Sequence, residues 1–157
     1  MITLHLETPA QTEAVGRAIG DELRAGDLVL LRGDLGAGKT TLARAMIRGF
    51  AQDDDLDVPS PTFALVEQYQ FSCPLSHVDL YRLDDPGEAR ELGLDDLPGA
   101  GIAIVEWPDR VPALAGQPHL DAAMSGGAVA GRVLTLKPRG RTWAGRLDTL
   151  AQQGRLS

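Results

Sequence analysis

The chain has 157 residues, 43% of them hydrophobic and 24% charged, which suits one soluble globular domain and leaves little room for a second core. Its formal net charge of -7 and pI ≈ 4.8 exclude a broadly basic face that grips nucleic acid directly, so any link to RNA has to run through partner proteins. The one cysteine, Cys73, allows no disulfide within the chain and reads as a turn residue; no cationic N-terminal segment leads into an apolar run, and no apolar stretch nears the ~18 residues that cross a bilayer, so a cytoplasmic protein without membrane contact is expected.

Residues 2–6 alternate apolar and polar and predict a first strand. Thr8, Pro9 and Gln11 predict a helix start, with Thr8 as cap, Pro9 at the first helical position and Gln11 as the returning arm of a capping box. Val15, Ala18, Ile19 and Leu23 follow at helical spacing, and Gly26 is expected to end that helix. Residues 27–31 are apolar without alternation, which predicts a central strand buried on both faces. A second helix follows from Leu42, Met46, Ile47 and Phe50 on one face. Asp53, Asp54 and Asp55 mark an exposed loop, and Pro59 and Pro61 keep 58–63 out of a helix.

Residues 64–71 and 75–83 read as strands separated only by Ser72, Cys73 and Pro74. That gap is too short for a helical crossover, so the two should pair antiparallel. Residues 86–92 predict a short helix and 101–107 a buried strand ending in an acid. Residues 120–124 and 132–136 are weaker strands, and 143–153 a closing helix. Lys137, Arg139, Arg141 and Arg146 form a basic strip that reads as a solvated edge. The fold expected is α/β: a single phosphate-loop (P-loop) NTPase domain over 1–157, with a mixed sheet, parallel plus antiparallel, of about seven strands flanked by helices.

Between the central strand and the second helix runs Gly33, Asp34, Leu35, Gly36, Ala37, Gly38, Lys39, Thr40 and Thr41, which meets the pattern Gly-x4-Gly-Lys-Thr. Glycines let the backbone curl so that several N–H groups face one anion. The helix that follows adds roughly half a positive charge at its N-terminus. Lys39 supplies a full charge to phosphates, and the Thr40 hydroxyl can ligate Mg²⁺. Arginine dominates the cations here, and Lys39 and Lys137 are the only lysines. A compact ammonium stands where one is wanted.

Such a loop needs a metal partner and a group that positions the attacking water. Glu106 ends an apolar strand, where ligands collect in open α/β sheets; the alternative is a salt-bridged edge carboxylate. Asp79 is a second strand-end acid, undecided between site and structure. Thr62, in a proline-rigid loop, is a candidate γ-phosphate sensor or a turn residue. Trp107 could stack on a ligand or belong to the core rim. His77 is a candidate base or a packed side chain. The three histidines, His5, His77 and His119, are scattered and make no zinc-type cluster.

The loop, together with Ser60-Pro-Thr-Phe63, His77-Val-Asp-Leu-Tyr-Arg82 and Val105-Glu-Trp-Pro108, resembles the bacterial tRNA threonylcarbamoyladenosine biosynthesis ATPase family, TsaE. The resemblance runs over about residues 12–136 and extends more weakly to 12–16 and to Gly131 and Arg132. It implies a small mixed-sheet ATPase, weak alone, that supports a threonylcarbamoyl transferase subunit and its inactive paralogue. That complex modifies the adenosine beside the tRNA anticodon. It further implies Lys39 and the loop amides on the phosphates of ATP, and Thr40 and Glu106 on Mg²⁺. Asp79 and Thr62 would act in hydrolysis or switching, Trp107 near the nucleotide, and Arg132 in closing the pocket. Residues 143–157 follow no pattern of the family.

Two rivals share the loop. A nucleotide or small-molecule kinase should also carry an arginine-rich lid, and no clear lid segment is present. A GTPase would carry Asn-Lys-x-Asp, and the sequence contains no asparagine.

Overall fold

The computed structural model describes residues 1–61, 64–127 and 129–156. The first alternating residues form β1 (Ile2–Leu6), and α1 (Pro9–Asp21) follows from the capping box: the Gln11 N–H donates to the Thr8 side chain, and the Gln11 side chain accepts from the Thr8 N–H. The helix ends at Asp21 rather than at Gly26. The Glu22 N–H bonds back to the carbonyls of Ile19 and Gly20, and the Asp27 carboxylate takes the Arg24 N–H at 2.7 Å. These bonds turn the chain out of the helix early, and Gly26 serves the connecting turn.

β2 (Leu28–Arg32) is the predicted central strand, with its first four residues buried, and the glycine loop leads from it into α2 (Lys39–Ala51). The two helices cross closely. A Cβ on Gly20 would lie 2.2 Å from the Met46 carbonyl oxygen, so only glycine fits there.

β3 (Val66–Gln70) and β4 (Pro74–Asp79) pair antiparallel as expected, but both are shorter than the predicted strands. Leu65 takes a left-handed φ of 65°, which delays β3. β4 stops where the Asp79 carboxylate accepts the Tyr81 N–H at 3.0 Å and starts a turn. α3 (Pro86–Glu91) and β5 (Ile102–Glu106) follow, β5 buried throughout. β6 (His119–Gly127) and β7 (Gly131–Arg139) are longer than predicted, because they pair with each other along their whole length. α4 (Ala144–Gln152) closes the chain.

The seven strands form one mixed sheet in the order β1-β7-β6-β2-β5-β4-β3. β6, β2, β5 and β4 run parallel, and the edges are antiparallel. One face packs on α1, α2 and α4; the other packs on α3 and on three short 3-10 turns (Leu94–Asp96, Pro108–Arg110, Pro112–Gly116). Asp79 and Glu106 are register partners, as are Leu31 and Glu106, so the parallel strands deliver β2, β4 and β5 to a common exit.

Arg146 does not belong to a solvated strip. It is buried and grips Asp27 with both terminal nitrogens at 2.6 and 2.8 Å. It also donates to the carbonyls of Glu22 and Thr142 and lies 3.9 Å from the Trp143 ring. Among the described residues no helix is long and apolar enough to cross a membrane.

Candidate functional site

The exits of β2, β4 and β5 meet at a cavity of about 300 Å³, the place where ligands collect in open α/β sheets. It is lined by Leu35, Gly36, Gly38, Lys39, Thr40, Thr41, Asp79, Tyr81, Glu106, Trp107 and Arg132. Most residues singled out from the sequence therefore converge. Gly33 and Asp34 contribute through their carbonyls, and Ala37 turns into the core with its N–H on the Asp34 carbonyl. Thr62 lies outside the described residues.

The loop is curled by left-handed glycines, among them Gly38 at a φ of 103° directly before α2. A Cβ at Gly38 would lie 2.9 Å from Arg132 Nε, so a larger residue would collide with the arginine as well as strain the backbone. The first N–H groups of α2 point out of this curl unpaired by any capping side chain, which is the electrostatic condition for holding an anion.

Lys39 folds back over its own loop, donating to the Gly33 and Asp34 carbonyls at 2.6 and 2.9 Å. Its ammonium also lies 4.3 Å from the centre of the Trp107 ring. Burial holds its pKa below the ordinary lysine value, although the carboxylates of Glu106, Asp79 and Asp34 pull the other way. The loop thus stores an under-paired cation in a confined place.

Glu106 is 2% exposed and uses both of its oxygens: Oε1 accepts the Thr40 hydroxyl at 2.8 Å, and Oε2 lies 2.7 Å from His77 Nε2. Two hard oxygen donors, the Thr40 hydroxyl and a carboxylate, are thereby held together beside the loop, a donor set that suits Mg²⁺. Asp79 faces the same side of the sheet one strand over. Trp107 adopts a left-handed φ of 59° immediately after Glu106, and its ring sits 4.9 Å from that of Tyr81. A bulky residue held there costs about 1–3 kcal/mol, and such strain concentrates at functional sites. Arg132 closes the opposite wall, its Nε buried and without a partner among the described residues.

One cavity residue, Tyr81, and one contact, that of His77 with Glu106, were not assigned from the sequence. Tyr81 lines the cavity from the turn that follows β4, where strand alternation no longer marks a face. The bond from His77 to Glu106 depends on the β4–β5 register, which no local pattern prints.

The fold and site define a mixed-sheet α/β protein whose central strand feeds a glycine loop capable of cradling an anion. The family model described as "Threonylcarbamoyl adenosine biosynthesis protein TsaE" matches residues 6–132. A tRNA threonylcarbamoyladenosine biosynthesis protein TsaE from Rickettsia felis is 34% identical over 119 residues, covering 75% of this chain and 69% of the relative. A protein of the same description from a Nostoc species is 38% identical, covering 71% of each. A crystal structure of Bacillus subtilis YdiB superposes with a TM-score of 0.79 at 24% identity, over 98% of this chain and 95% of the other, and shows the same fold. The chain belongs to the TsaE family, which takes part in tRNA threonylcarbamoyladenosine biosynthesis.

Proposed function

We propose that the chain binds Mg-ATP on the loop 33–41 and hydrolyses it slowly, in the cytoplasm, to support the complex that makes tRNA threonylcarbamoyladenosine. The observation that carries this reading is the convergence of the under-paired Lys39 ammonium with the Thr40–Glu106 pair at one mouth of the loop. In it, Lys39 and the loop amides bind the triphosphate, whose charge answers a cation now met by two carbonyls and an indole ring. Thr40 and Glu106 would hold Mg²⁺. No group of three or more His, Cys, Asp or Glu side chains suited to a metal exists among the described residues. In such sites Mg²⁺ is usually bound by one or two protein groups together with the phosphates, and a hydroxyl with one carboxylate suits that. When bound, it neutralises charge on the transferring phosphoryl group.

The chain's own residues supply the rest. Asp79, in register with Glu106 and close enough to Lys39 to act on its charge, is the proposed group that orients the attacking water. Trp107 and Tyr81 line the cavity beside Lys39, and the unpartnered Arg132 Nε suits an oxygen of the nucleotide. Thr62 remains a proposed sensor of the γ-phosphate. The partners proposed are the threonylcarbamoyl transferase subunit and its inactive paralogue, with tRNA reached only through them; a net charge of -7 agrees with that indirect route.

The test is ATP turnover by the purified chain, alone and with both partners. Slow turnover that rises on adding them is expected. Absence of stimulation counts against the partner role, and robust phosphorylation of nucleosides or small alcohols would favour a kinase instead.

A further inference from the structure

Glu106 is a strand-end carboxylate that could rotate about its last torsion, yet the structure fixes it. One oxygen is held by Thr40 on α2, the other by His77 on β4. His77 is completely buried, and β4 alternation puts it on the same face as Asp79, the layer shared with α2. A carboxylate only accepts hydrogen bonds, so His77 Nε2 must carry the hydrogen. Among the described residues no other group bonds Glu106 Oε2. His77 Nδ1 has no partner among them, so the ring's one observed polar contact is with Glu106.

Resting on the Mg-ATP reading above, we infer that His77 is a positioning residue that holds the Glu106 carboxylate with Oε1 turned toward Thr40, so that the two metal-ligand oxygens are arranged before the cation arrives. It touches neither nucleotide nor metal. Its consequence is selective: losing the Nε2–H donor weakens the site for Mg²⁺ while leaving the phosphate-binding loop intact. An imidazole kept only for packing would not discriminate between metal-loaded and metal-free nucleotide. Outer partners of metal ligands commonly contribute 10–100-fold in affinity when removed.

The experiment is calorimetric binding of ATP with Mg²⁺ and with EDTA, for wild type, His77→Leu, His77→Gln, Glu106→Gln and the His77→Leu/Glu106→Gln double variant, each first checked for cooperative unfolding. His77→Leu should raise the Mg²⁺ concentration needed for tight ATP binding at least tenfold, while affinity in EDTA stays within about twofold. His77→Gln, which keeps an amide N–H donor near that position, should restore most of the Mg²⁺ response. Glu106→Gln should lose the response, and the double variant should lose no more. A His77→Leu protein with wild-type Mg²⁺ response, or one weakened equally with and without metal, overturns the inference alone. A wild type that binds ATP equally with Mg²⁺ and EDTA overturns the metal-site reading and the inference together. Should His77→Leu fail to fold, imidazole ¹⁵N spectra of the wild type carry the test, with His5→Gln and His119→Gln for assignment. A protonated Nε2 on His77 that shifts with Mg-ATP but not with ATP in EDTA supports the inference; an unprotonated Nε2 overturns it.

Discussion

β2 has a buried charged group at each end, and the two ends are built on opposite principles. Just before the strand, Asp27 meets Arg146 in a two-pronged pair at 2.6 and 2.8 Å. The same guanidinium satisfies the Glu22 and Thr142 carbonyls and stacks on Trp143. Just after the strand, Lys39 has only the carbonyls of its own loop and an indole ring, and Arg132 Nε has no partner among the described residues. Buried charge of the first kind is closed and structural. Buried charge of the second kind is held ready for something else to complete it.

Arg146→Ala should break the closed end with the largest effect. Leaving Asp27 buried and unpaired costs about 3–5 kcal/mol of stability, visible as a lower denaturant midpoint, while ATP affinity of the folded fraction is unchanged. A loss of affinity without a loss of stability would erase the contrast between the ends. Glu106→Gln acts at the open end and should do the reverse. Turnover should fall about 100-fold, some 2.7 kcal/mol, with nucleotide binding still measurable and the unfolding midpoint nearly unmoved; hydrolysis at the wild-type rate would remove Glu106 from the metal role.

The smallest effect is with pH. The Lys39 ammonium titrates below the usual lysine value because of its burial, and triphosphate binds its charged form. ATP affinity should therefore be flat at neutral pH and decline as pH rises through that lowered pKa, before an ordinary lysine would lose its proton. The stability of the free protein should run the other way. Between the lowered value and 10.5 the unfolded chain holds more protons than the folded one, so Lys39 contributes increasing stability as pH rises. Titrating both quantities on one sample checks the sign of each.

Much of the fold was legible because its signals are local. The apolar runs of β2 and β5, the capping box at Thr8 and the short gap before β4 each act within a few residues. What escaped was set at a distance. The full length of β6 and β7 comes only from their pairing with each other. Arg146 looked like part of a basic strip because its partner lies 119 residues away in the sequence. At the site, the loop and Glu106 could be named from type and spacing. The tie between His77 and Glu106 could not, because it exists only once β4 and β5 lie side by side in parallel register.

The central claim is that the open end of β2 is a triphosphate site organised by Lys39. Equilibrium binding of ATP in Mg²⁺ to the wild type and to Lys39→Ala tests it most directly. Saturable binding that weakens by two orders of magnitude or more in a variant that unfolds like the wild type, about 2.7 kcal/mol and so the upper part of what a charge-assisted contact contributes, is the expected result. Equal binding by the two proteins, or none by the wild type, would contradict it.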